Sequence, residues 1–304
     1  MTTRRISAIR VRLPTELTDY ALLDSGDGAK LERYGPYVLA RPEPQAIWRR
    51  SLPVARWEAA DARFEKGAGE SGEWVERRPI PARWLMREAG LTFYARLTSF
   101  RHTGVFPEQA VHWRWIRQAI EGAARPIHLL DLFAYTALSS LAAAQAGARV
   151  TYVDASRPAL TWARENQEAS KLTTAPIRWI LDDAIKFVRR EARRGARYDA
   201  IVMDPPVFGR GASGEVWRFY ESMPSLLDAC RDVLSEQPLF VLINAYAIEA
   251  SSLMLANLLD DLMAGHSGQI EAGELALAQE GSDRILPGGI YGRWEAHGRI
   301  DGLA

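Results

Sequence analysis

The chain has 304 residues, 47% hydrophobic and 25% charged, with a formal net charge of zero. That is the make-up of a soluble globular protein of one large or two modest domains. Its longest apolar run, Pro238 to Ile248, falls short of the roughly 20 residues a membrane helix needs. The first residues lack the apolar core of a signal peptide, so a cytoplasmic protein is expected. A single cysteine, Cys230, excludes an internal disulfide and a Cys-rich zinc site. It shares the apolar face of a helical stretch and reads as a core residue. The five histidines show no ligand spacing, so no metal is expected.

The first part of the chain reads as β-rich. "AIRVRL" alternates apolar and basic residues at the strand period, and "YALLDSGDGAKLERYGPYVLARP" sets GDG and YGP turns between apolar runs, as in a meander. "EKGAGESGEW" reads as an exposed loop, and "LTFYARLTSF" as a further strand that turns through "RHTGVFPEQ" into the helix "AVHWRWIRQAIEG". Residues 1–120 carry 20 of the Lys/Arg residues against 14 Asp/Glu, and six of the ten tryptophans, several beside arginine. Two readings fit. One is a surface for nucleic acid, by phosphate attraction and base stacking; the other is core tryptophan with arginine stacked on its edge. The division falls near residue 122, giving a β-rich N-terminal region over 1–122 and a second domain over 123–304.

From residue 127 strands and helices alternate. "IHLLDLF", "RVTYVD", "IRWILDD", "YDAIVMD" and "LFVLINA" are strands. Between and after them lie the helices "ALSSLAAAQAG", "SRPALTWARENQEAS" (Ser156 as N-cap, Pro158 in its first turn), "AIKFVRREARRG", "PSLLDACRDVL" and "EASSLMLANLLDDLMAG". "GQIEAGELA" and "RILPGGIYGRW" close the pattern as an antiparallel pair. The expected fold class is α/β: a doubly wound, mostly parallel, seven-stranded Rossmann-like sheet preceded by a smaller β-rich domain.

Ligands of such sheets bind at the carboxyl ends of the strands. Successive ends carry Asp131, Asp154, the pair Asp182 and Asp183, and Asp204. Asp154 follows Asp131 by 23 positions, where nucleotide-binding α/β folds place a carboxylate on ribose hydroxyls. The turn "DLFAYTALSS" has no GxGxxG, so the glycine amides that cradle a pyrophosphate are missing and a dinucleotide is disfavoured. A ribose-bearing cofactor without phosphate, such as S-adenosylmethionine (SAM), fits better. Asp183 is the preferred acceptor for the adenine amino group.

The motifs "LLDLFAYTALSSLAAAQAGARVTYVDASRPALTWARENQ", "DDAIKFV" and "YDAIVMDPPVF", with "EAGLTFYARLTSFRHTGVFPEQ" upstream, resemble class I SAM-dependent methyltransferases, in the branch of bacterial 23S rRNA methyltransferases. The resemblance spans about residues 88–295. It implies that Phe133, Ala134, Tyr135 and Thr136 line the cofactor. Asp131, Asp154, Ala155, Asp182, Asp183 and Ala184 complete its site, with Gln109 a further contact. Asp204, Pro205 and Pro206 then stand beside the reactive methyl, and Phe208 stacks on the acceptor base. Two consecutive prolines fix φ and offer no N–H, so the groups there are held as rigid acceptors. The implied partner is RNA, rRNA first, without membrane or metal and with room for a homodimer.

Three departures qualify this. Ala137 stands where the family has glycine; a methyl is tolerated there at negative φ and costs about 1–2 kcal/mol otherwise. Cytosine C5 methylation needs a cysteine nucleophile, and Cys230 sits mid-helix, away from a strand end, so a nitrogen acceptor is favoured. "FPEQ" replaces the Asp-Gln-Arg pattern of the rRNA enzymes, and Val207 rather than an aromatic follows the prolines. The arginines of "RREARRGAR" read as a solvated face, and Arg210 between two glycines as the better RNA contact. A catalytically silent RNA- or protein-binding module with the same fold is the alternative, and an NAD-dependent oxidoreductase is opposed by the missing glycine fingerprint.

Overall fold

A computed structural model describes residues 6–15, 17–67, 71–211 and 214–297. The chain opens with β1 (Ile6–Arg12) and continues through β2 (Tyr20–Gly26), β3 (Ala29–Tyr34), β4 (Tyr37–Pro42), the short helix α1 (Val54–Glu58), β5 (Ala62–Lys66), β6 (Gly72–Glu76), β7 (Trp84–Glu88) and β8 (Leu91–Ala95). A 3-10 turn, Pro107–Gln109, leads into α2 (Ala110–Glu121). Strands and helices then alternate: β9 (His128–Leu132), α3 (Leu138–Gln145), β10 (Arg149–Asp154), α4 (Arg157–Ala169), β11 (Ile177–Leu181), α5 (Ala184–Arg193) and β12 (Ala200–Met203). A small hairpin, β13 (Phe208–Arg210) and β14 (Val216–Arg218), precedes α6 (Phe219–Arg231), β15 (Phe240–Ala245), α7 (Ser252–Leu262), β16 (Gly268–Ala278) and β17 (Ile285–Ala296).

Two units result. One holds β1, His112–Leu275 and the chain from Gly289 on; the other holds Leu13–Val111 and Ala276–Gly288. Within the first, a sheet runs in the order β1-β16-β17-β15-β12-β9-β10-β11. The central pairs are parallel, and β17 runs antiparallel to β15. Seven of these strands are the expected ones. The eighth is β1, whose alternating pattern identifies a strand without naming its partner; it lies parallel to β16, with Arg12 forking onto Glu271 at 2.9 and 2.7 Å. α2 also falls with this sheet from His112 on.

Strand alternation sends the apolar residues to two faces. Leu130, Leu132, Ile201, Met203, Val241 and Ile243 pack with α5, α6 and α7, while Leu129, Val202, Phe240 and Leu242 pack with α2 and α3. Each such burial contributes about 1.5–3 kcal/mol. α4 shows how locally the helices are specified. Ser156 accepts the Ala159 N–H at 3.3 Å, Pro158 occupies the first turn, and Ala159, Trp162, Ala163 and Asn166 make one buried face. α6 starts at Phe219, five residues before the expected Pro224, because Phe219 and Met223 are buried and hold an extra turn against the core. α7 is shorter than expected, capped by Ser251. Cys230 is buried in α6 as expected, its thiol pushed up to about 12 by burial.

The second unit carries a five-stranded sheet, β2-β3-β4-β5-β6, and the β7–β8 hairpin. The GDG turn places Asp27 and Gly28 at φ 51 and 74, the left-handed pair a tight hairpin needs. β3 buries Glu32 completely, clasped by Arg41 at 2.7 and 2.8 Å and by the hydroxyls of Tyr20 and Tyr34. Residues 68–70 of the expected Gly/Glu loop lie outside the described residues. Four of the six tryptophans of the first 120 residues follow the core reading. Trp57, Trp84, Trp113 and Trp115 are buried, with Arg50 stacked 3.9 Å over Trp57 and Arg293 4.8 Å over Trp115. No helix among the described residues is long and apolar enough to cross a membrane.

Candidate active site

The sheet order puts the carboxyl ends of β12, β9, β10 and β11 side by side, so the acids spread along the sequence meet along one edge. Asp131 faces the interior, 2% exposed, and accepts the Ser140 hydroxyl of α3 at 2.6 Å. Burial pushes its carboxyl up to about 7; the Ser140 bond opposes this, and the neighbouring charges of Asp204 and Asp154 add to it. Asp154, half-buried, takes the Tyr135 N–H at 2.9 Å and the Ser156 N–H at 2.7 Å. Burial raises its pKa also, and these two backbone bonds offset part of that.

Between Asp131 and α3 runs the loop Phe133–Ala137. Phe133, Tyr135 and Ala137 have φ of 57, 47 and 69, three left-handed non-glycine residues within five positions. Each costs on the order of 1–3 kcal/mol and persists only where its surroundings dictate it. Here they do. Asp154 holds the Tyr135 amide, the Tyr152 hydroxyl donates to the Tyr135 carbonyl at 2.7 Å, and the Asn166 amide donates to the Thr136 carbonyl at 3.0 Å. The Ala134 and Ala137 amides are bonded to Val153 and Ala134 carbonyls. The Ala134, Tyr135 and Ala137 amides are thus spent inside the protein, which suits a phosphate-free cofactor. Ala137, fully buried, takes the strained branch of the two that its sequence context allowed.

At the end of β11, Asp183 caps α5 by accepting the Lys186 N–H at 2.9 Å, and Ala184 is the buried first residue of that helix. Asp182 is paired with Arg190 at 2.7 Å and also accepts the Asp183 amide. Ala155 is half-buried, between Asp154 and Ser156. Arg190 and Arg194 are engaged by Asp182 and Glu191, and Arg197 by the Asp232 carbonyl, so these three arginines are tied to their own unit, while Arg189 and Arg193 are exposed.

β12 delivers Asp204, whose amide is bonded to the Leu132 carbonyl at 3.3 Å, and then buried Pro205 and exposed Pro206. The Pro206 carbonyl accepts Trp217 Nε1 at 2.6 Å and the Val207 carbonyl accepts the Phe219 amide. These two carbonyls are therefore structural. Trp217 also stacks on Phe133, ring centroids 4.7 Å apart, and so joins the loop after β9 to the hairpin after β12. Phe208 lies on that hairpin, 52% exposed, and Arg210 is on the same strand. Gln109 is buried in the 3-10 turn of the other unit.

Spacing pointed to the acids and the two prolines. It missed Tyr152, Asn166, Ser140 and Trp217, which brace them. Asn166 alone left a trace, as an amide on the apolar face of α4. Among the described residues no group of His, Cys, Asp and Glu side chains is arranged to hold a metal ion.

The clustered, partly uncompensated carboxylates fit a cationic ligand, and Asp154 at its strand end fits a diol. A methyltransferase of Agrobacterium tumefaciens described as SAM-dependent superposes with a TM-score of 0.92 at 44% identity, over 97% of this chain and 96% of that one. A methyltransferase complexed with SAH has the same fold, TM-score 0.71 at 21% identity, over 92% of this chain and 76% of that one. Ribosomal RNA large subunit methyltransferase K/L of Syntrophotalea carbinolica is 31% identical over 183 residues, 60% of this chain but 22% of that protein. The chain spans less than a third of the length of such K/L relatives. Residues 30–261 match the S-adenosylmethionine-dependent methyltransferase family as a whole. The chain belongs to that family, and S-adenosylmethionine is its cofactor.

Proposed function

We propose that the protein methylates a nitrogen of a nucleobase in RNA, rRNA in the first place. The observation that carries the reading is Asp204, set at the end of β12 on a rigid Pro-Pro step, within electrostatic reach of buried Asp131. SAM supplies a methyl group on a positively charged sulfur. Asp131, Asp154 and Asp204 favour that charge in a desolvated place, and Asp154 offers its carboxylate to the ribose hydroxyls. Asp183 faces the adenine end, and Phe133 to Thr136 line the cofactor. Asp204 accepts a hydrogen bond from the acceptor N–H and holds its nitrogen in line with the methyl, the main contribution an enzyme makes to this reaction.

RNA as substrate is supported by the names of the K/L relatives and by the hairpin that follows Asp204. It exposes Phe208, Val216 and, at the start of α6, Tyr220, alongside Arg210 and Arg218. Aromatic and cationic groups of this kind stack on bases and meet phosphates. Nitrogen rather than cytosine C5 is supported by Cys230, buried in α6 with a thiol pushed up to about 12. Tritiated methyl transfer from SAM to rRNA of a strain lacking the protein, followed by mass spectrometry of nucleosides, tests the reading. A single methylated base nitrogen is expected; label only at carbon or on no RNA overturns it.

A further inference from the structure

β15 is apolar except at Asn244, in the run Phe-Val-Leu-Ile-Asn-Ala. Asn244 is 1% exposed, and among the described residues neither the oxygen nor the nitrogen of its carboxamide has a hydrogen-bond partner. Leaving such a group unsatisfied costs about 1–3 kcal/mol, and buried orphans of this kind are rare enough to call for a cause. Its location supplies one. The parallel register of β12 and β15 pairs Met203 with Ile243, so the next step along both chains sets Asp204 beside Asn244. Alternation puts Asn244 on the sheet face of Phe240 and Leu242, the face that also carries Val202 and, across β9, Asp131.

On its other side Asn244 is paired in antiparallel register with Tyr291. The Tyr291 hydroxyl does not serve it, being committed to Glu271 at 2.6 Å. Against the Tyr291 ring, centroids 5.0 Å apart, lies His112 of α2, fully buried and likewise without a hydrogen-bond partner at either ring nitrogen among the described residues. Two orphaned polar side chains thus flank one tyrosine at the strand end that follows Asp204 in the sheet.

Building on the methyl-acceptor role given to Asp204, we propose that Asn244 is an acceptor-positioning residue. Its carboxamide, one donor and one acceptor, reads the amide or amidine edge of the base whose nitrogen Asp204 holds. A carboxamide pairs with such an edge through two parallel hydrogen bonds, and Asp204 takes the N–H next to it.

The test is Asn244→Leu, which keeps the number and branching of the side-chain heavy atoms and removes the amide. Expected are a melting temperature raised by about 2–4 °C, SAM affinity by calorimetry within twofold of wild type, and kcat/KM for rRNA methylation lowered at least tenfold. A lower melting temperature with unchanged transfer shows a structural residue and overturns the proposal, as does a tenfold loss of SAM affinity. A second measurement does not depend on turnover. The side-chain amide signal of Asn244, in wild-type protein saturated with S-adenosylhomocysteine, is followed by NMR against each of the four ribonucleosides. A shift with one of them is expected, and no shift with any overturns the proposal. Absence of rRNA methylation by the wild type would sink the rRNA reading alone, and the NMR result would still decide on Asn244.

Discussion

Two buried carboxylates, one in each unit, are driven in opposite directions. For Glu32 in β3, burial alone raises the pKa, but the charges of Arg41 and Lys30 and the hydrogen bonds of Arg41 and Tyr20 prevail and bring it to about 2. For Asp131 in β9, burial prevails; a serine hydroxyl is its hydrogen-bond partner, two other aspartates add their charge, and it rises to about 7. The protein provides a cation where the acid serves architecture. Around Asp131 the described residues place no cation of comparable closeness, and under the function proposed above a positively charged cofactor would complete the balance.

The largest effect that bears on this contrast is expected from Arg41→Met. It leaves Glu32 buried without its charge partner and should cost about 3–5 kcal/mol in denaturant unfolding. A loss below 1 kcal/mol would mean that Tyr20, Tyr34 and Lys30 suffice. On acidification the Glu32 contribution, present above about pH 4.5, is lost as pH falls toward 2, because the unfolded chain takes up the proton first.

Asp131 has the opposite sign. Its folded value lies above that of the unfolded chain, so the folded protein keeps a proton that the unfolded chain gives up, and stability falls as pH rises from about 4 to about 7. Asp131→Asn keeps an acceptor for Ser140 and should flatten that slope in melting curves, while removing a rise in SAM affinity over the same window. A slope unchanged by the substitution would place the titration elsewhere.

Smaller effects are expected from two half-buried members of the acid row. Asp154→Ala should weaken SAM binding by about 1–3 kcal/mol in calorimetry, through lost charge-assisted hydrogen bonds. Asp204→Ala should depress turnover more than affinity; equal losses in both would remove the division of roles. The smallest is Ala137→Gly, which relieves a left-handed alanine and should strengthen SAM binding by about 1 kcal/mol. Unchanged or weaker affinity would show that the bracing of the loop, not the methyl group, sets its conformation.

Much of the sheet unit was legible in the sequence because its signals are local. β10 runs over Arg149–Asp154 as its pattern indicates, Ser156 caps α4 as its position before Pro158 indicates, and the acids stand at strand ends. What could not be read depends on partners remote in the chain. The period of β1 identifies a strand but not β16 as its neighbour. The left-handed Phe133 and Tyr135 occur in residue types that rarely take that conformation, and only Asp154, Tyr152 and Asn166 together make it stable. The arginine–tryptophan pairs of the first 120 residues have the composition of a nucleic-acid surface; burial, invisible to composition, makes most of them core.

The pairing of β1 with β16 has a consequence for biosynthesis. Arg12 and Glu271 are 259 positions apart, so an outer strand made among the first residues waits for its neighbour until nearly the whole unit has left the ribosome. Until then the backbone N–H and C=O groups of β1 have no sheet edge to join.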